Sequence, residues 1–171
     1  MGGMSSLRIP VQMRFGDIDS YGHANNVIQL QYFEEARVRL SESTLEGVPG
    51  VPGGVTFREL VGQRLTVIGR QEVEYLAQLH YRISDIEVEV WASHIGTSSY
   101  VLNYRLQDAG GGTVYAIAQS TTVEIDARTG RPEAFGPEQR AFLEHCSGDP
   151  IVFGRRPAET AAHEGSGAQE A

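Results

Sequence analysis

Between residues 27 and 42 the apolar side chains recur about every four positions, the spacing of an α-helix. Ile28, Tyr32, Ala36 and Leu40 form one stripe, with Phe33 beside it. Val27, Leu30 and Val38 occupy another side, so the helix is apolar over much of its circumference and is expected to be well buried. Glu35 and Arg39 stand one turn apart, in the better order for an ion pair on the outer face. One such helix cannot cover itself. The rest of the chain has to supply the surface against which it packs.

That surface is written in period two. Before the helix, Val11, Met13 and Phe15 alternate with Gln12 and Arg14. After it, "EGVPGVPGGV" (46–55) cannot extend a helix, because Pro removes donors and Gly is permissive; it reads as a flexible loop. Leu65, Val67, Val73 and Tyr75 then share one parity, with Arg70, Glu72 and Glu74 on the other. Ile86, Val88 and Val90 alternate with Glu87 and Glu89, and Tyr100, Leu102, Tyr104 and Leu106 alternate with Val101, Asn103, Arg105 and Gln107. "DAGGG" (108–112) marks a turn into a strand over 114–125, and "DARTGRP" closes it. "GPEQRAFLEHC" predicts a short helix with Pro137 at its first position.

Strands joined by short turns give an antiparallel sheet. The prediction is therefore an α+β domain, an antiparallel sheet of about five strands wrapped around one long helix. It is expected over residues 8–154, after a flexible N-terminus (1–7) and before a tail (155–171) whose Ala, Glu, Gly, Gln and Ser predict disorder.

A formal net charge of −8 argues against nucleic acid, whose phosphates need clustered Lys and Arg. No apolar run approaches the ~20 residues of a membrane span. The single cysteine, Cys146, excludes an intrachain disulfide framework and suits a reducing compartment. With no segment like a signal peptide, a cytoplasmic location is expected. His80 and His94 lack metal-ligand spacing, so no metal is assigned. Ser98 and Ser99 lack the Gly-x-Ser-x-Gly setting of a serine hydrolase.

Chemistry concentrates in "GDIDSYGHANN" (16–26), between the first strand and the helix. Part of it reads as turn and cap residues, with Asn26 as N-cap and Gln29 three residues later in a capping-box-like arrangement. The same geometry can do more. A helix start presents unpaired N–H groups and the positive end of a dipole, which stabilise an oxyanion. A carboxylate beside it, Asp19, could attack a carbonyl or activate water.

"FGDIDSYGHANN" followed by "QYFEEAR" resembles the hotdog-fold acyl-CoA thioesterases of the 4-hydroxybenzoyl-CoA thioesterase and YbgC-like group. "YLAQLHY" (75–81) and "IGTSSY" (95–100) resemble further segments of that family, over roughly residues 8–145. The resemblance implies Asp19 as the catalytic carboxylate, Gly22 as the substrate-side glycine of the bend and Asn26 as the position whose backbone N–H polarises the thioester carbonyl. His23 belongs to the Gly-His-x-Asn-Asn form of the motif, orienting Asp19 or holding the loop. It also implies an acyl-CoA substrate, no cofactor, and a homodimer or homotetramer with the site at the subunit interface.

Two other readings stay open: a hotdog domain that binds acyl-CoA or acyl carrier protein without hydrolysis, and a hotdog enoyl-CoA hydratase. Glu34 and Glu35 on the helix read as a solvated or paired face. Arg58, Arg64, Arg70, Arg82 and Arg131 are candidates for coenzyme A phosphates, with nothing in the sequence to choose among them.

Overall fold

A computed structural model describes residues 6–44, 46–83 and 86–154. The elements follow in the order β1 (Leu7–Val11), a 3₁₀ turn (Phe15–Asp17), α1 (Asn26–Ser41), α2 (Phe57–Val61), β2 (Arg64–Tyr75), β3 (Ile86–Ser93), β4 (Ser99–Asp108), β5 (Val114–Asp126) and α3 (Pro137–His145). All five strands join one antiparallel sheet, in the spatial order β1-β3-β4-β5-β2. The expected architecture is the one found, that of a hotdog fold. β1 begins at Leu7, inside the stretch expected to be flexible, and the Ser6 hydroxyl donates to Glu89. The tail assigned to 155–171 lies outside the described residues.

The alternation sorts side chains as the pattern requires. Tyr100, Leu102, Tyr104 and Leu106 form the inner face of β4, where the Phe33 ring of α1 lies 5.4 Å from that of Tyr104. On the outer face Glu87 and Glu89 are buried, and each is paired: Arg8 and Gln107 with Glu87, Arg105 with Glu89, all at 2.9 Å. Buried charge is tolerated when paired in this way. The segment after α3 covers part of that face, with Trp91 Nε1 donating to the Asp149 carbonyl and the Ile151 N–H to Asn103 Oδ1. Burial pushes the Cys146 thiol up to about 12.

Three local expectations change. α1 is not covered all round: Tyr32, Phe33, Ala36 and Leu40 are buried, but Val27 and Val38 are 61% and 52% exposed. One helix on one sheet has only one face to give. Second, β2 does not keep one parity. Its register against β5 shifts between Ile68 and Arg70, so Gly69 is an extra residue. Leu65 and Val67 therefore share the outer face with Arg70, Glu72 and Glu74, while Thr66 and Ile68 share the inner face with Val73 and Tyr75. Third, the stretch just after the predicted loop, given no element from the sequence, is the helix α2. Thr56 and Glu59 make a reciprocal capping box, and Phe57 inserts into the core.

The two sheet edges differ. β1 has five residues, including Pro10; β2 has twelve, no proline, and exposed Leu65, Val67 and Ile68. A long edge with a free row of N–H and C=O groups is a pairing surface.

Candidate active site

The loop between β1 and α1 is held at several points. Asp17, 8% exposed, accepts the Arg14 N–H at 2.7 Å and the Tyr32 hydroxyl at 2.6 Å. Burial, then this bond to Asp17, pushes the Tyr32 phenol well above its ordinary range. Asp17 is thus a structural carboxylate that ties the loop to α1, and not a free loop charge. The Asn25 N–H donates to the Asp17 carbonyl, and the Ala24 N–H donates to that of Leu79. His80 Nδ1 lies 3.0 Å from the Gly22 carbonyl.

Inside this frame the chain makes a tight turn. The Gly22 N–H donates to the Asp19 carbonyl and the Asp19 N–H to that of His23. Gly22 has φ +85°, where a side chain would be strained. Asp19 Oδ1 accepts the Tyr21 N–H at 2.9 Å, and Oδ2 stands 3.8 Å from His23 Nδ1. His23 stacks on Tyr21 and meets His80 edge-on.

The cap of α1 is Asn25, whose side chain accepts the Val27 N–H at 2.8 Å; Asn26 is the first helical residue. The expectation of Asn26 as N-cap is off by one position, and Gln29 forms no capping box, donating instead to the Ala24 carbonyl from a buried site. The shift matters chemically. As the first residue of the helix, Asn26 has an N–H without an intrahelical acceptor.

Asp19, Asn25 and Val27 line one hollow of about 340 Å³. Phe15, Tyr21 and Val27, in or beside this loop, are bare. Tyr81, edge-on to Phe15 at 5.6 Å, is also exposed. The structure thus gathers a half-exposed carboxylate, a helix N-terminus and apolar walls, an arrangement able to polarise a carbonyl and activate a nucleophile beside it.

A sequence model of the thioesterase-like superfamily matches residues 13–143. The chain belongs to the thioesterase-like superfamily. It is similar to the uncharacterized protein YsmA of Bacillus subtilis (strain 168), 26% identical over 135 residues, which cover 79% of this chain and 83% of that protein. It is also similar to the PA2801 protein of Pseudomonas aeruginosa (31% identity, TM-score 0.60, 81% of this chain and 96% of that one). A thioesterase from Thermus thermophilus, solved with coenzyme A and Zn, matches at 26% identity and TM-score 0.63, over 82% of this chain and 98% of that one. With the hotdog fold, this makes the protein a thioester hydrolase.

Sequence reasoning passed over Asn25, Leu79 and His80, which hold the loop. The signal for the last two was "YLAQLHY", whose backbone and histidine close over Gly22 and Ala24. Of the candidate phosphate ligands, Arg64 is spent on the carbonyls of Leu60, Val61 and Ala134, Arg58 pairs with Glu42, Arg70 with Glu72 and Arg82 with Asp108. Glu35 pairs with Arg39 at 2.6 Å, as its spacing predicts. Among the described residues no cluster of three His, Cys, Asp or Glu could hold a metal ion, and no helix is long and apolar enough to cross a membrane.

Proposed function

We propose that the protein hydrolyses acyl-CoA thioesters, with Asp19 as nucleophile or general base and the Asn26 N–H as oxyanion donor. The observation that carries this reading is that Asp19 and the start of α1 line one hollow. The tie from Tyr21 leaves Asp19 Oδ2 for the substrate or a water. As the thioester carbonyl carbon is attacked, its oxygen gains charge against the helix N-terminus. Collapse breaks the C–S bond and releases coenzyme A; with Asp19 as base the attacking water leaves the free acid at once, and with Asp19 as nucleophile a water then hydrolyses the mixed anhydride to the free acid. His23 positions Asp19, and Gly22 lets the chain pass close to the bound thioester.

The working unit is a homodimer in which β2 pairs with its own two-fold copy. The exposed edge of β2 supports this, and the segment at 147–154 that covers the outer face disfavours a homotetramer stacked on that face. Thiol release from a panel of acyl-CoA esters by wild type and Asp19→Asn tests the chemistry. Equal rates for the two proteins would remove Asp19 from the mechanism.

A further inference from the structure

At the far end of α1 from Asp19, a cavity of about 670 Å³ opens between the last turns of α1, α2 and the start of β2. Its lining includes Arg37, Arg58 and Arg64 and no carboxylate, in a chain of net charge −8. Two of these cations are committed. Arg64 bonds to backbone carbonyls and to Gln139, and Arg58 pairs with Glu42 at 2.6 Å in the open.

Arg37 differs. Only 20% of its side chain is exposed, and its ion pair, to the open Glu34, is long at 3.6 Å. It lies near the buried Tyr100 hydroxyl and donates to that of Tyr104, and its charge opposes the upward push that burial gives both phenols. A guanidinium has five donors, and removing it from water is costly unless acceptors meet them. Much of the remaining wall is apolar, from Val38, Leu40, Phe57, Val61 and Leu102, with Ser41, Gln63 and Thr66 at its polar points. A largely apolar pocket with one mostly buried cation in its wall, held by a long ion pair and a phenol, fits a ligand that is mostly carbon and ends in an oxygen.

In a two-fold pairing of β2 edges, the first residues of one strand lie beside the last residues of the other. The Tyr75 hydroxyl, at the end of β2, donates to the Asn26 carbonyl at 3.1 Å. The cavity of one protomer, bounded by Arg64, Leu65 and Thr66, therefore opens toward the α1 start of its partner.

We infer that Arg37 is a specificity-determining residue that receives an oxygen at the end of the acyl group remote from the thioester. The preferred substrates are compact acyl-CoA esters bearing a distal hydroxyl or carboxylate. The inference rests on the thioesterase reading and on the β2-edge dimer. A plain alkyl end would cover the guanidinium without offering its free donors an acceptor, which disfavours it by roughly 10- to 100-fold.

The test compares hexanoyl-CoA, 6-hydroxyhexanoyl-CoA and adipoyl-CoA, three acyl groups of one length. The wild-type dimer should show a kcat/KM higher by roughly 10- to 100-fold for at least one oxygen-bearing ester, and the one favoured tells hydroxyl from carboxylate. Arg37→Met, of similar stem length, should bring that ratio to near one; Arg37→Lys, which keeps charge but loses the fork, should lower it several-fold and serves if the first variant does not fold. A wild-type ratio near one, or a ratio that neither variant changes, overturns the inference while leaving the hydrolase intact. If no ester is hydrolysed, the catalytic reading fails, and calorimetry with the matching non-hydrolysable CoA thioethers decides for Arg37. Tighter binding of an oxygen-bearing thioether that weakens in Arg37→Met upholds it, and equal binding overturns it. Mixing Asp19→Asn with Arg37→Met protomers should recover turnover of the favoured ester above the sum of the separate variants. No gain would place both residues in one protomer and overturn the shared site.

Discussion

The two ends of α1 are made from similar parts and carry opposite chemistry. Each leaves one valine bare, Val27 at the start and Val38 near the end, and each borders a hollow. At the start the lining holds Asp17 and Asp19 and no cation; at the end it holds three arginines and no carboxylate. Helix electrostatics explain part of the contrast, since carbonyls at a C-terminus favour nearby cations and free N–H groups at an N-terminus favour negative charge. On the proposed reading this contrast is a division of labour, in which the start of the helix serves developing negative charge and its end reads a ligand.

The largest effect should come from the start. Asp19→Asn removes one charge and little volume, so hydrolysis should fall by at least ~10²-fold in kcat with KM and melting temperature nearly unchanged. Near wild-type turnover would reduce Asp19 to a turn residue. Asp17→Asn sharpens the comparison because it touches the same loop by another route. It weakens buried bonds to the Arg14 N–H and Tyr32, and denaturant unfolding should show a loss of about 1–3 kcal/mol. A stable but inactive Asp17→Asn protein would exchange the roles of the two aspartates.

A smaller effect separates the two asparagines. Asn25→Ala loses the cap and should cost about 1 kcal/mol, whereas Asn26→Ser should stay within about 0.5 kcal/mol, its proposed part being backbone. Equal losses in thermal unfolding would return the cap to Asn26.

The smallest effect lies at the other end, where Glu124 is fully buried below Thr66. Burial raises its carboxyl above the ordinary range, against the bonds from Thr66 and Gln139 that lower it. A raised carboxyl stabilises the fold below its unfolded pKa, and that contribution is lost as pH rises through the folded value. Glu124→Gln should therefore gain stability relative to wild type at pH 7 more than at pH 4. A gain independent of pH would show that the Glu124 carboxyl titrates alike in the folded and the unfolded chain.

Much of the fold was legible. Alternation in β3 and β4 separated the inner from the outer face correctly, since both strands lie between two neighbours and pair with each other without a shift. β2 was misread at Gly69, because parity counting assumes one residue per rung and a bulge breaks that assumption. α2 went unseen although Thr56 and Glu59 carry its capping box, since the Pro- and Gly-rich stretch before it masked a five-residue helix. Around the site, the loop and Asp19 stood out in the motif, while the cap fell on Asn25 because two adjacent asparagines are equivalent in sequence.

The class of the protein lay in local patterns of backbone periodicity and turn chemistry: one long helix with an apolar stripe, strands read mostly by alternation, and an acidic loop at the helix start. Only the tertiary structure decided which carboxylate is structural. Asp17 and Asp19 have the same side chain two residues apart, and what separates them is Tyr32, fifteen positions from Asp17, whose hydroxyl reaches back to bond Asp17 and not Asp19. The surroundings of Arg37 were likewise invisible, because Tyr100 and Tyr104, whose hydroxyls lie near it, are strand residues far along the chain. Desolvation is a property of what surrounds a group, and those surroundings exist only once the chain has folded.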